Sequence, residues 1–184
     1  YLGSDFDTMF CFNGQSVSNQ KKFSKGVALL RAVGGTNWGF DKETLLRTFN
    51  VIIKPAYSFN APIWVPNTKP SHIQKLQLLQ NRAMRVITGC HQATAIDHLH
   101  QETSLLPVGP RLDMLCTQFL ASAMRRDHPS HATVMLPPGP RTRKNKDGEV
   151  RPLKETLFSR YGHELTPYLN DDGIIAEVSY NRTR

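Results

Sequence analysis

Apolar and polar positions alternate along this chain at two periods. In residues 1 to 12, YLGSDFDTMFCF, the side chains of Leu2, Ser4, Phe6, Thr8, Phe10 and Phe12 share one side at period two, the spacing of a β-strand. Asn13-Gly14 then reads as a turn, so a short N-terminal β-hairpin is expected. The period lengthens after that. Phe23, Val27 and Leu30 recur at helical spacing, predicting a helix from Ser16 to about Val33 that ends at Gly34-Gly35. Lys21, Lys22 and Lys25 lie off its apolar stripe.

A second helix is expected from Asp41, a good N-cap, with Glu43 in the first turn where the helix dipole favours an acid. Leu45, Leu46, Phe49, Ile52, Ile53 and Ala56 give it a broad apolar face. Pro55 falls inside this pattern and predicts a kink or break near Ile53–Lys54. Pro66 to Pro70 reads as a loop. A third helix should start after Pro70 with Ser71 as N-cap, reach about Thr88 and stop at Gly89. At about 100° per residue, Ile73, Leu76, Leu79, Ala83, Met84, Val86 and Ile87 fall in one half of its circumference. Gln74, Asn81, Arg82 and Arg85 fall in the other, interrupted by Leu78, with the two arginines about 60° apart. A short helix over Ala95 to Leu105 and another from near Pro110 to Arg125-Arg126 complete the helical part.

After His128 the pattern breaks down. Pro129, Pro137, Pro138, Pro140 and the run RTRKNKDGEVR read as a mobile linker. The stretch 153–178 regains some apolar content, enough for a short helix and an extended piece but not for a second full core. A length of 184 residues suits one domain plus a tail. No run of eighteen apolar residues occurs, which argues against a membrane span. The start at Tyr1 reads as the interior of a longer fold.

Charge changes the picture more than composition does. The formal net charge is +8, and it is concentrated. Between Thr8 and Ile96 the acids are Asp41 and Glu43, against eleven bases: Lys21, Lys22, Lys25, Arg31, Lys42, Arg47, Lys54, Lys69, Lys75, Arg82 and Arg85. A stretch this depleted in acids suits a polyanion such as nucleic acid, although a solvated basic surface has the same composition. Arginine in particular forms bidentate, salt-sensitive contacts to phosphate.

The other chemical candidates are weak. Cys90, His91, His98 and His100 cluster, but of these only His98 and His100 lie close, and residues two apart do not face each other on a helix. Asp97 and Glu102 read as local caps or ion-pair partners. Cys11, Cys90 and Cys116 are odd in number and widely spaced, which suggests reduced thiols and an intracellular setting. Cys116 lies on an apolar stripe and reads as a structural thiol. No GxSxG, HExxH or GxxxxGK motif is present, and Asp171-Asp172 reads as an acidic turn. Trp64 is expected in the core, while Trp38 fits either the core or stacking on a base.

Three stretches together, YLGSDFD, WGFDKETLLRTFNVIIKPAYSFNAPIW and IQKLQLLQNRAMRVITGC followed by TAIDHLHQETSLLPV, resemble the reverse transcriptases of non-LTR (LINE-type, jockey-like) retrotransposons. The resemblance covers roughly residues 1–128 and continues loosely into LKETLFSRYGHEL. It implies a primer grip at Tyr1, Leu2 and Gly3, with Ser4 standing where the family often has Val. The helices at 16–33, 41–64 and 71–88 would form the thumb that closes on the template–primer duplex. The family's palm, with its paired aspartates, would lie upstream of Tyr1, and no YxDD segment occurs here. The implied chain is therefore not an enzyme by itself and contains no catalytic residue or metal site. Mg2+ belongs to the full polymerase.

The expected architecture is mainly α: a β-hairpin at 1–15, a thumb-like helical bundle at 16–128, and a partly disordered tail at 129–184. The expected nucleic-acid contacts are Tyr1, Leu2, Gly3, Lys21, Lys22, Lys25, Arg31, Lys75, Asn81, Arg82 and Arg85. The implied partners are an RNA or RNA–DNA duplex, held through its phosphates, and the upstream palm and fingers of the same polyprotein. A ribonucleoprotein in the nucleus or cytoplasm is the implied setting. The rival reading is a helical protein-interaction module or a degenerate transposon fragment without activity.

Overall fold

A computed structural model describes residues 4–5, 12–35, 39–125, 128–134, 142–144, 150–152 and 156–169. The chain forms two compact units, Tyr1–Asp113 and Met114–Arg184. The described part is mainly helical, as the periodicity requires.

Among the described residues the expected N-terminal β-hairpin is absent. Asn13-Gly14, read as a turn, instead opens helix α1 (Asn13–Val33), which occupies the place of any returning strand. Asp5 donates its backbone N–H to the Gln15 side chain at 2.7 Å rather than to a strand neighbour. Gln15 in turn donates to Asn19 at 2.9 Å, and Asn60 donates to the Ser4 hydroxyl at 2.7 Å. A polar side chain thus satisfies the Asp5 backbone N–H, a group that a sheet could otherwise pair. The expected grip residues Tyr1, Leu2 and Gly3 lie outside the described residues, as do Cys11, Trp38, Asp171-Asp172 and the tail from 170 to 184.

Helix α2 (Lys42–Thr48) starts as expected: the Asp41 carboxylate accepts from the Thr44 N–H at 3.4 Å, and hydrogen bonding by Thr44, its side chain first and its backbone second, holds the Asp41 pKa below the usual value. Pro55 does not break the chain. A π-helical turn, Phe49–Ile53, precedes α3 (Lys54–Ser58), and the Lys54 N–H reaches back five residues to the Phe49 carbonyl. The wider turn accommodates a proline ring that would collide with the carbonyl four residues earlier in a regular helix. It also resets the helical phase. In an unbroken α-helix Leu45 and Tyr57 would diverge by about 120°, and one inserted residue takes back about 100°. Leu45, Phe49, Ile53 and Tyr57 are accordingly all buried, whereas Ile52, expected in the core, is exposed.

Helix α4 (Ala61–Trp64) buries Trp64, whose indole N–H donates to the Phe59 carbonyl at 3.0 Å. Helix α5 (Pro70–Thr88) is capped two residues earlier than expected, and not by Ser71. Its N-cap is Lys69, without a side-chain cap, and Pro70 fills the first helical position, where a missing N–H costs nothing. Gly89, at φ 67°, ends it. Helices α6 (Ile96–Thr103) and α7 (Val108–Ala123) follow.

The core of the first unit joins α1 to the π-turn helix and to α5. Phe23 stacks on Tyr57 with ring centroids 4.9 Å apart and lies tilted against Phe49 at 6.1 Å. Burial pushes the Tyr57 hydroxyl up to about 12. Gly26 is where α1 comes closest to the π turn: a Cβ there would lie 2.8 Å from Ile53 Cγ1. Gly26→Ala should therefore lower stability by about 1–3 kcal/mol through overpacking, against alanine's better helix propensity. Gly14→Ala meets nothing within 4 Å and should stabilise by about 0.5 kcal/mol or more through propensity alone. Urea unfolding of the two variants tests this; equal effects would show that no close approach exists at Gly26.

Helices α1 and α5 run parallel. Gln20 bonds His72 at 3.0 Å, a pair 52 residues apart, and a Cβ on Gly34 would lie 3.5 Å from Val86 Cγ1, the same offset. One register therefore holds along the whole pair.

In the second unit, α7 buries Cys116, Leu120 and Ala123, and α8 (His131–Val134) follows. A short antiparallel pair, β1 (Thr142–Lys144) with β2 (Val150–Pro152), forms within the stretch read as linker. Helix α9 (Leu157–Leu165) is capped reciprocally by Thr156 and Ser159 and buries Tyr161 and Leu165. Thr117 donates to its Glu164 at 3.0 Å. Among the described residues neither Cys90 nor Cys116 is in a disulfide bond. No helix of the described residues is long and apolar enough to cross a membrane.

Candidate nucleic-acid interface

The parallel register decides which basic residues meet. Arg31, in the last turn of α1, is brought level with the last two turns of α5, where Arg82 and Arg85 stand. The three guanidinium groups, with Val86, Cys90 and Gln92, line one open groove of about 700 Å³. Among the described residues no carboxylate lines it. Arg82 and Arg31 are exposed and Arg85 is half-buried.

Arg85 is held but not neutralised. It donates to the backbone carbonyls of Asn81 at 3.3 Å and Thr94 at 3.4 Å, and its buried Nε–H has no acceptor among the described residues. The two acids of the basic stretch are engaged elsewhere. Asp41 caps α2, and Glu43 pairs with Arg47 at 2.6 Å. Lys42 pairs with Glu102, which lowers the Glu102 pKa, chiefly through that hydrogen bond. The field over the groove is thus that of arginines without a neighbouring acid. Arg31 and Arg85 also offset the negative C-terminal ends of the two parallel helices, whose dipoles would otherwise repel an anion.

Lys75 is exposed on α5, about 20° around the helix from Arg82 and two turns away, so it extends the same stripe. His72 lies nearby, its pKa lowered by burial and then by Lys75 and Lys69. Lys21, Lys22 and Lys25 are exposed on α1 but do not line the groove, and Lys22 points about 180° from Arg31.

Asn81 departs from the expectation. It is 5% exposed and accepts from the Gln77 side chain at 2.8 Å. Gln77 also accepts from the Val108 N–H at 2.7 Å, and the buried Gln80 donates to the Leu106 carbonyl at 2.8 Å. The polar half of α5 therefore splits. Gln77, Gln80 and Asn81 pin the 106–108 connection, while Lys75, Arg82 and Arg85 face outward. An amide next to arginines gives no sign of this in the sequence, because the carbonyl and N–H it serves lie 26 and 31 residues from the glutamines. Leu78, which interrupts the polar half, is 59% exposed. Asn81→Ala is expected to lower stability by about 1–2 kcal/mol while leaving the duplex affinity of the folded chain unchanged. A selective loss of binding at full stability would return Asn81 to the interface.

The histidine cluster does not converge. His98 is exposed, the His100 ring bonds the Leu105 carbonyl at 2.6 Å, and among the described residues no three metal-ligating side chains come together.

No family model and no solved structure matches the chain. It is 30% identical over 153 residues to a "Probable RNA-directed DNA polymerase from transposon BS" of Drosophila melanogaster. That alignment takes in 83% of this chain and 17% of the polymerase. The chain is thus related to a transposon RNA-directed DNA polymerase, that is, to a reverse transcriptase, and spans 17% of that relative's length.

Proposed function

We propose that this chain is the thumb and adjoining C-terminal portion of a non-LTR, LINE-type, jockey-like retrotransposon reverse transcriptase. In this reading it grips an RNA or RNA–DNA duplex by its phosphates and polymerises nothing itself, the palm and its Mg2+ ions belonging to an upstream part of the same polyprotein. The observation that carries the reading is the groove in which Arg31, Arg82 and Arg85 meet with no carboxylate among its described lining residues. Guanidinium groups from two helices offer several donors at once to adjacent phosphates, which positions a duplex without reading its bases. A duplex of A-form geometry is recognised mainly in this way.

A salt titration tests it. Log affinity for a blunt RNA–DNA duplex should fall linearly with log salt, with a slope of about −3 from the three arginines alone. Affinity that is absent at low salt, or flat across the titration, rules the grip out.

A second reading, a protein-interaction module, draws on one observation. Val51 is 73% exposed, and Ile52, Phe59 and Ile63 are also exposed along the π turn and α4. In the polymerase reading, upstream palm and fingers of the polyprotein would cover these side chains. A protein partner retained after nuclease digestion, together with no duplex binding at low salt, would favour the second reading over the first.

A further inference from the structure

A second, smaller cavity of about 90 Å³ lies in the first unit, away from the groove, lined by Lys54, Tyr57, Gln80, Ser104 and Arg111 together with Leu105 and Leu106. It shares no residue with the groove. Two cationic side chains from different helices face one small space, and among the described residues no carboxylate lines it. Both are half-buried, and like charges brought together partly out of water without a counter-ion are costly, so proteins ordinarily pair them.

Each cation keeps donors to spare. Lys54 gives one of its three ammonium protons to the Asn50 side chain at 3.2 Å. The Nε–H of Arg111 is buried and has no acceptor among the described residues. Tyr57 and Ser104 add hydroxyl groups to the wall. The buried Gln80 carboxamide oxygen, also without a partner among the described residues, would accept from a protonated ligand oxygen. Arg111 stands in the first turn of α7, where the helix dipole adds further positive potential.

The cavity has room for more than one water, and so for a small tetrahedral oxyanion. We propose that this cavity is a binding site for a single phosphate-class oxyanion, held between Lys54 and Arg111. The unneutralised charge also appears in the Lys54 ammonium, whose pKa is lowered by burial and then by Arg111. The site does not depend on the duplex reading, because the ligand could be a free oxyanion or the terminal phosphate of a strand.

Inorganic phosphate, titrated into the 184-residue chain at constant ionic strength and followed by 31P line width and equilibrium dialysis, tests this. Saturable binding at one phosphate per chain is expected. Arg111→Met and, separately, Lys54→Gln should each weaken it by about tenfold or more, and alanine at Arg31, Arg82 and Arg85 should leave it unchanged. Circular dichroism identifies a variant that fails to fold; either of the two pocket variants, if folded, is enough. Absence of saturation in the millimolar range, or undiminished binding in a folded pocket variant, overturns the proposal. So does loss of phosphate binding in the groove variant, which would put the ion at the arginines. Competition by a 5′-phosphorylated oligonucleotide, and none by its 5′-hydroxyl counterpart, supports the site with a strand end as its source. Phosphate binding that neither oligonucleotide displaces supports it with a free oxyanion as the source.

Discussion

Replacing Arg31, Arg82 and Arg85 together by alanine should weaken duplex binding by about two decades at 0.15 M salt and flatten the salt slope by about three units. Each phosphate that no longer meets a guanidinium keeps about one counterion, and at that salt each release is worth roughly sevenfold. The weakening should be the same for every duplex sequence, since phosphates carry no base information. The fold should survive. Arg31 and Arg82 are exposed, and Arg85 gives up only two long hydrogen bonds to carbonyls. Alanine at Lys21, Lys22 and Lys25 removes the same formal charge from faces of α1 that do not line the groove. That variant should keep most of the affinity. If it weakens as much as the arginine variant, binding follows net charge and the groove is not an interface.

Phe23→Ala should cost about 3–5 kcal/mol of stability, a large share of the whole for a domain of this size. Phe23 is fully buried, and its ring lies against both Tyr57 and Phe49, so it joins α1 to the helix that carries the π turn. Removing it leaves a cavity that two flanking rings on a phase-locked helix cannot close. Urea unfolding should show a lower midpoint with little change in slope. A decrease below about 1 kcal/mol would mean that these rings do not form the centre of the core.

Local patterns proved readable where one element fixes them by itself. The helices α1, α5 and α7 follow from apolar residues at helical spacing; the ends of α1 and α5 follow from Gly34 and Gly89 and the start of α2 from Asp41, whose backbone or side-chain chemistry acts within a few residues. The burial of Cys116 follows from the apolar stripe it sits on, and that of Trp64 from the apolar Ala61-Pro62-Ile63 before it. The acid-poor basic stretch was equally plain, because charge is counted without a fold. The N-terminal hairpin was misjudged for a related reason. Period-two apolarity and Asn-Gly suit a hairpin locally, but Asn13-Gly14 opens a helix, and Gln15, rather than a strand, takes the backbone N–H of Asp5.

The rest depended on partners far away in the chain. Pro55 announced a disturbance, but whether it would break, kink or widen the helix was decided by the need to align Leu45, Phe49, Ile53 and Tyr57 against α1, and the π turn does that. Asn81 and Arg82 are neighbours on one polar face. Only the 106–108 connection, packed on one edge of α5, makes the first internal and leaves the second outside. The sequence by itself determined that this chain is helical, basic in its first half and capped at definite places. Tertiary structure alone decided which bases act together, since the parallel register of α1 on α5 sets Arg31 beside Arg82 and Arg85, and the packing of α3, α5 and α7 sets Lys54 opposite Arg111. Composition counts charges, whereas the potential that an anion meets depends on their separation, and separation is a property of packing.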